Sequence, residues 1–244
     1  MSRPAAFGRL VTTQAGVEAR LTARRGENVL AMVGLPMAAL AVFGTFGSGE
    51  RSVGTVLPGV LALALVASGL VNLGIATAFE RGYGVLKRLG GSPLGRDGLI
   101  SAKLAVVGMI GLLQVAALLG VGFTLGWRPD PAASAPAVLL VAIIGSATFA
   151  SLGLLLAGTM RPEATLVVAN ALFLVALLLG GVAIPFSELP GTVATIAAAS
   201  PVGALAGAFQ AALGAGAGYV GHLAVVATWG VGAAVLTTRT FRWD

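Results

Sequence analysis

Long stretches without a charged residue constrain this chain more than any other feature of its sequence. Asp, Glu, Lys and Arg are absent from five windows, residues 28–49, 52–79, 104–127, 131–160 and 164–187. A helix needs about 20 apolar residues to cross the hydrocarbon core of a bilayer, and each window exceeds that length. Charged residues make up 10% of the sequence, against about 25% in a soluble domain. Lipid must therefore solvate most of the surface.

Within each window the apolar residues run continuously and do not alternate with polar ones. Such runs favour helices over the strands of a membrane barrel, in which apolar and polar residues alternate. Trimming each window to its apolar core predicts five spans, near residues 29–46, 57–77, 104–125, 137–156 and 165–184.

A sixth apolar window, residues 189–238, is long enough for two spans. Pro190, Pro201 and the glycine-rich stretch 214–221 interrupt its first part, so one uninterrupted crossing is predicted near 219–236. The apolar part before it is too hydrophobic for a solvated loop, and irregular backbone cannot face lipid. We therefore expect a broken, re-entrant helical hairpin over residues 189–212.

The distribution of Lys and Arg sets the orientation. With six spans, 13 of the 15 Lys and Arg residues lie in segments on the cytoplasmic side, together with both termini. A seventh span would place Arg239 and Arg242 outside, against the positive-inside tendency. The predicted fold is an all-α membrane protein with six transmembrane helices, in which residues 28–244 form a single transmembrane domain.

Residues 1–27 form a separate amphipathic segment. Phe7, Leu10, Gln14, Val17 and Leu21 recur at spacings of three and four, and most of the charged residues beside them are arginines. This pattern predicts a helix lying in the cytoplasmic interface, with its basic face toward anionic lipid headgroups. The alternative is a solvated amphipathic tail. We find no secretory signal pattern in the segment, so the start of the chain is expected to stay in the cytoplasm.

Several classes of site are disfavoured by composition. The chain has no Cys and a single His, His222, which argues against thiolate or histidine metal centres, and no metal site is predicted. The net charge of +6 does not indicate nucleic-acid binding, because the basic residues lie in short gaps between apolar runs and are not clustered on one face.

The connection 78–103 carries the most specific pattern. Val85, Leu86 and Leu89 present an apolar edge beside Lys87 and Arg88. The two glycines at 90–91 and the proline at 93 are expected to end this short helix. A charged, apolar-edged helix in the cytoplasm is suited to docking into a groove on a partner. The alternative is an ordinary positively charged loop.

Three blocks of the sequence resemble a known family. The first contains Glu80-Arg81-Gly82, Leu86-Lys87-Arg88-Leu89, Ser92-Pro93-Leu94 and Lys103. The second contains the stretch 149–154 and Asn170, and the third contains Gly180-Gly181-Val182, Pro185, Leu189-Pro190 and Ser200-Pro201. Together they resemble the permease subunit of ABC type-2 exporters, in the drug-efflux and daunorubicin-resistance-like branch.

The resemblance implies a role for each block. The first would be the coupling helix that contacts a cytoplasmic ABC ATPase, through Glu80, Arg81, Gly82, Leu86, Lys87, Arg88, Leu89, Ser92 and Pro93. Pro185, Pro190 and Pro201 would mark the outer re-entrant hairpin. The expected function is ATP-driven export of a lipophilic or amphipathic substrate from a bacterial cytoplasmic membrane. A second permease copy or a paralogue would complete the pathway.

The energy source is expected to lie in another polypeptide. A phosphate-binding P-loop needs Gly directly before its Lys, whereas Leu86 precedes Lys87 and Ala102 precedes Lys103. The chain is thus predicted to be no enzyme and to bind no cofactor, with ATP and Mg²⁺ held by the partner ATPase. An ion-coupled secondary transporter is the alternative, although the first five predicted spans contain no ionisable residue. An intramembrane enzyme is a further alternative, but no serine in a span has a base partner at a suitable spacing.

Polar residues within the spans are candidates for a substrate pathway. Asn72, Gln114, Thr148 and Asn170 are the residues selected. The alternative for each is a hydrogen bond to a neighbouring helix or to its own backbone.

Overall fold

The structure is a computed structural model that describes residues 7–24, 26–45, 52–91, 94–184, 186–216 and 218–241. The described residues form helices and connecting turns, with no β-strand among them. We number the α-helices in chain order: α1 Phe7–Arg24, α2 Gly26–Thr45, α3 Val53–Gly82, α4 Val85–Gly90, α5 Gly95–Thr124, α6 Ala135–Thr159, α7 Pro162–Leu179, α8 Gly191–Ala199, α9 Pro201–Ala212 and α10 Tyr219–Thr240. A single 3₁₀ turn, Phe186–Glu188, precedes α8 in this part of the chain.

Five of these helices, α3, α5, α6, α7 and α10, are long and apolar enough to cross a membrane. The pair α8–α9 is bent by 86° and would add a sixth crossing if it were one broken span. In α2, the stretch Val33–Val42 is apolar. The prediction of an all-α membrane fold with a bent helical pair before the last span is confirmed.

Helix α3 lies at the centre of the bundle. Its first turn is closed by Ser52, whose N–H donates to Thr55 Oγ1 at 3.0 Å. Leu57, Leu61 and Leu65 are fully buried in the main apolar core. In lipid, helices gain little from the hydrophobic effect against each other, so close van der Waals packing must hold such a core together.

Helices α3 and α6 pack closely against each other. The middle of α3, Ala67–Leu73, is π-helical and faces α6. A Cβ added at Gly153 of α6 would lie 2.3 Å from the carbonyl oxygen of Gly69, and one added at Gly69 would lie 2.7 Å from the backbone nitrogen of Ala150. Glycine is required at both positions because any side chain would separate the two backbones.

Helices α7 and α10 line the outside of the bundle. Most of the α7 surface is exposed and apolar, including Val167, Leu174 and Leu178. Exposed apolar side chains over the length of a span match a lipid surface or a contact with a second chain. Helix α1 packs along α5.

We call the end of the bundle that holds residues 78–103 and 159–162 the inner end, and the end that holds 125–134 and 180–216 the outer end. Within α1, Leu10 packs on the inner-end cluster of Leu86, Leu94 and Leu99, whereas Phe7, Val17 and Leu21 are exposed. The interfacial placement of α1 stays a prediction.

Candidate coupling site and substrate pathway

The connection between α3 and α5 begins with a turn that glycine makes possible. Helix α3 ends at Gly82, and Gly84 has φ +69°, a left-handed conformation that side chains disfavour. The N–H of Gly84 donates to the carbonyl of Arg81 at 2.9 Å, which closes the turn before the short helix α4. Gly95, with φ +67°, opens α5 in the same way. Ser92 and Pro93 lie outside the described residues.

Arg81 binds the C-terminal end of α6. Its Nη1 donates to the carbonyl of Gly158 at 2.8 Å, and its Nη2 donates to the carbonyl of Met160. The last carbonyls of a helix lack intrahelical partners and carry partial negative charge, so a guanidinium is a favourable cap there. The neighbouring Gly82 packs against Pro162, the first residue of α7, at a distance that leaves no room for a Cβ. These contacts fix the inner end of α3 to the α6–α7 junction.

A buried lysine connects its own helix to two others. Lys103 on α5 is 4% exposed, and its Nζ lies 2.7 Å from Glu80 Oε2 and 3.3 Å from Glu18 Oε1. A buried ammonium is costly unless carboxylates pair with it, and here both partners are supplied by other helices. Glu80 lies in the last turn of α3, whereas Glu18 belongs to α1, where Gln14 also donates to it at 3.3 Å. The three charges, which we call the Lys103 triad, tie α1, α3 and α5 together.

The two faces of α4 have different surroundings. Leu86 is 1% exposed and packs with Leu94 and Leu99, and Leu89 packs partly buried against the same cluster. The structure therefore places the apolar edge of this helix inside the chain, whereas the sequence suggested that it was exposed for docking. Lys87 and Arg88 are exposed on the opposite side. Tyr83, in the turn before them, is 70% exposed.

The four candidate pathway residues lie on four helices in different environments. Thr148 is buried, and its Oγ1 donates to the carbonyl of Val226 on α10 at 3.1 Å. Gln114 is also buried, and Asn72 is half-buried in the π-helical part of α3. Asn170 is exposed on the outside of α7, where its Nδ2 donates to the carbonyl of Leu166 at 2.8 Å. Their role in a pathway stays a prediction.

The bend between α8 and α9 lies at the predicted Ser200-Pro201 break. Pro201 is the first residue of α9, and the Oγ of Ser200 accepts from the N–H of Gly203 at 3.1 Å. Trp229 of α10 donates its Nε1–H to the carbonyl of Ala199 at 3.0 Å, which satisfies a group at the end of α8. Pro190 caps the start of α8, and Pro185 lies outside the described residues.

The comparison with known families agrees with these features. A family model described as ABC-2 type transporter matches residues 15–213, which is most of the chain. The chain belongs to the ABC-2 type transporter family. No curated protein and no solved structure matched it. The resemblance seen in the sequence is thereby confirmed, and the ABC-2 membership together with the long apolar helices identifies a transport subunit that crosses the membrane several times.

In this ABC-2 transporter the sequence did not reveal the Lys103 triad. A signal was present, since Glu18 is the only acidic residue before Glu27 and Lys103 directly precedes a long apolar run. Neither residue indicates a partner by local spacing, and only the packing of α1 on α5 brings Glu18 to Lys103.

Proposed function

We propose that this chain is the membrane subunit of an ATP-driven exporter and that a separate ABC ATPase docks on the inner end of the bundle. The observation that carries the proposal is the arrangement of α4. Its exposed face presents Lys87 and Arg88 beside Tyr83, whereas its apolar face is anchored in the chain. A short helix with an aromatic ring and two cations is suited to an acidic groove on a partner protein.

The contacts at the base of α4 support a role in transmitting motion. Arg81 connects this segment to the end of α6, and the Lys103 triad connects it to α1 and α5. A force applied to α4 would therefore move several spans together and would not merely bend a loop. Coupling of this kind requires packed elements with two discrete arrangements. We infer that ATP binding and hydrolysis in the partner shift the bundle between two such arrangements.

ATP and Mg²⁺ belong to the partner in this proposal. Neither lysine of the chain follows a glycine, and the ammonium of Lys103 is already paired with two carboxylates. We propose further that the membrane is a bacterial cytoplasmic membrane, with the inner end and both termini on the cytoplasmic side. The Lys and Arg distribution supports this orientation.

A second permease copy or a paralogue would complete the pathway. Asn170 supports this because it places an amide among the exposed apolar side chains of α7. Lipid offers no hydrogen bonds to an amide, whereas a second chain or a pathway between two chains does. Since the polar residues selected in the spans are uncharged, a lipophilic or amphipathic substrate fits the pathway better than a free sugar.

Charge reversal on α4 tests the docking. The permease and an ABC ATPase encoded beside it would be co-purified and reconstituted in proteoliposomes. The double variant K87E/R88E should lose ATPase stimulation and co-purification, because both changed side chains are exposed and the hydrogen bonds of Arg88 are local, to the carbonyls of Gly84 and Tyr83 at 3.4 Å. R239E is the matched control, since Arg239 is exposed near the same end of the bundle but lies on α10. Full stimulation in K87E/R88E would contradict the docking assignment. Transport driven by an ion gradient without ATP would instead favour the secondary transporter.

The orientation is tested by labelling single cysteines, for which the chain offers a background free of native Cys. Cysteines at Arg128 and Glu188 should react with a membrane-impermeant maleimide from outside, and a cysteine at Arg88 should react from inside. Labelling at Arg239 from outside alone would require a seventh span.

A further inference from the structure

An apolar groove lies between α5 and α6 at the outer end, away from α4 and the Lys103 triad. It encloses about 470 Å³ and is lined mainly by aliphatic and aromatic side chains, among them Leu112, Leu119, Val138 and Leu139. Both walls are helices apolar and long enough to cross a membrane, so we expect the groove to lie beside lipid. Acyl chains are the most abundant molecules that can fill such a space.

The connection between the two helices carries one charge of each sign at the outer end of the groove. Asp130 lines the groove, and Arg128 stands two residues before it in the connection between the helices. Arg128 donates from Nη1 to the carbonyls of Phe123 and Trp127, at 3.1 and 2.9 Å. Its Nε and Nη2 have no hydrogen-bond partner among the described residues. Two hydrogen bonds therefore fix the position of the guanidinium, and its Nε and Nη2 can donate to a ligand.

Asp130 is held in place in a similar manner. Its Oδ1 accepts from the N–H of Ala132 at 2.8 Å, and its Cβ lies 2.5 Å from the position that a Cβ on Gly214 would occupy. Within the described residues Oδ2 has no partner, and Asp130 forms no ion pair with Arg128 although both are exposed. Two opposite charges that are fixed apart, each with free hydrogen-bonding capacity, match a ligand that carries a negative and a positive group.

An aromatic pair stands at the same level. The rings of Phe123 and Trp127 lie 5.3 Å apart, and both residues line the groove. Trp is enriched at the headgroup level of membranes because its ring is amphipathic. The apolar groove, the aromatic pair and the two charges thus follow one another in the order acyl chain, interface and headgroup.

We propose that this groove is a binding site for a zwitterionic aminophospholipid. One acyl chain lies between α5 and α6, the phosphate accepts hydrogen bonds from Arg128, and the ammonium donates to Asp130. A choline headgroup of the same net charge has no N–H to donate, so the site distinguishes ethanolamine from choline lipids. The proposal rests on the fold and on membrane insertion, and it does not depend on the partner ATPase.

Native mass spectrometry on the purified full chain tests the site, with phosphatidylethanolamine and phosphatidylcholine of the same acyl chains added in competition. The wild type should retain the ethanolamine lipid about 10-fold better, which is the effect expected of one charge-assisted hydrogen bond. D130N should reduce this ratio to about one while total binding persists, and R128Q should weaken the binding of both lipids.

Filling the groove tests the acyl-chain position. A116W places an indole where Ala116 lines the groove and should abolish lipid retention. A105W is the matched control, because Ala105 is exposed on the same helix and does not line the groove. Both variants would first be shown to be monodisperse by size-exclusion chromatography. Equal retention of the two headgroups by the wild type would overturn the proposal, as would undiminished binding in A116W. If A116W does not fold, the headgroup ratio in D130N decides the question alone.

Discussion

Replacing Lys103 with methionine should destabilise the protein more than any substitution of an exposed charge. Methionine keeps the length and apolar stem of the side chain but removes the ammonium with which Glu80 and Glu18 pair. The Nζ contacts to these carboxylates are 2.7 and 3.3 Å, and the lysine side chain is 4% exposed.

The size of the effect follows from burial. Breaking a fully buried ion pair costs about 3–5 kcal/mol because one charge is left without compensation. The side chains of Glu18 and Glu80 are 17% and 29% exposed, so water screens the triad in part. We therefore expect K103M to lose about 2–3 kcal/mol of unfolding free energy. On the scale of domains of similar length, this loss lowers the Tm by about 4–12 °C.

Thermal unfolding in detergent, followed by the fluorescence of the three tryptophans, measures the change. K87M is the matched control, since Lys87 is the other lysine of the chain and is exposed, and its stability should change by less than about 0.5 kcal/mol. E80Q should cost more than E18Q because its contact to Lys103 is shorter.

The triple variant K103M/E80Q/E18Q separates charge from packing. It should be more stable than K103M, because the two carboxylates that paired with Lys103 are then neutral as well. Two results would contradict this reasoning. One is a loss of less than about 1 kcal/mol of unfolding free energy in K103M, and the other is a loss in the triple variant equal to the sum of the losses in the three single variants. Either would show that attraction among the three charges does not stabilise the fold.

Two further substitutions test the packing of the bundle in the same assay. G153A should cost about 1–3 kcal/mol, because the new Cβ would lie 2.3 Å from the carbonyl oxygen of Gly69. G120A on α5 is its control, since nothing lies within 4 Å of the added Cβ, and it should be neutral or stabilising by up to about 1 kcal/mol; equal effects of the two would refute the close approach of α3 and α6. W229F should cost about 1 kcal/mol by leaving the carbonyl of Ala199 without its donor. An unchanged Tm in W229F would show that this bond does not stabilise the bend.

The same contacts connect stability with transport. If α4 moves when the ATPase binds ATP, the contacts of Arg81 transmit that motion to α6, and the Lys103 triad transmits it to α1 and α5. K103M would then reduce transport per ATP hydrolysed more than it reduces docking of the ATPase. K87E/R88E would do the reverse, because those side chains are exposed and the hydrogen bonds of Arg88 reach no further than the adjacent turn. Measuring co-purification and transport on both variants distinguishes an anchoring role from a docking role.

The sequence by itself determined the class of fold and the positions of its breaks. Lipid excludes charge and requires about 20 apolar residues for each helical crossing, so the distances between charged residues carry the information on spans. Proline lacks an N–H, so the bend at Ser200-Pro201 is also a local property. The family could be recognised because its sequence motifs lie where the helices are interrupted and in the connection 78–103.

Only the tertiary structure decided which side chains meet. Leu86 and Lys87 are adjacent in a short helix, yet Leu86 is buried in the chain and Lys87 is exposed, because α1 and α5 cover one face of α4. Glu18 reaches Lys103 through the packing of two helices that are far apart along the chain, and Trp229 reaches the carbonyl of Ala199 in the same way. Periodicity determines which residues share a face of a helix, but the neighbour of that face depends on how the whole bundle packs.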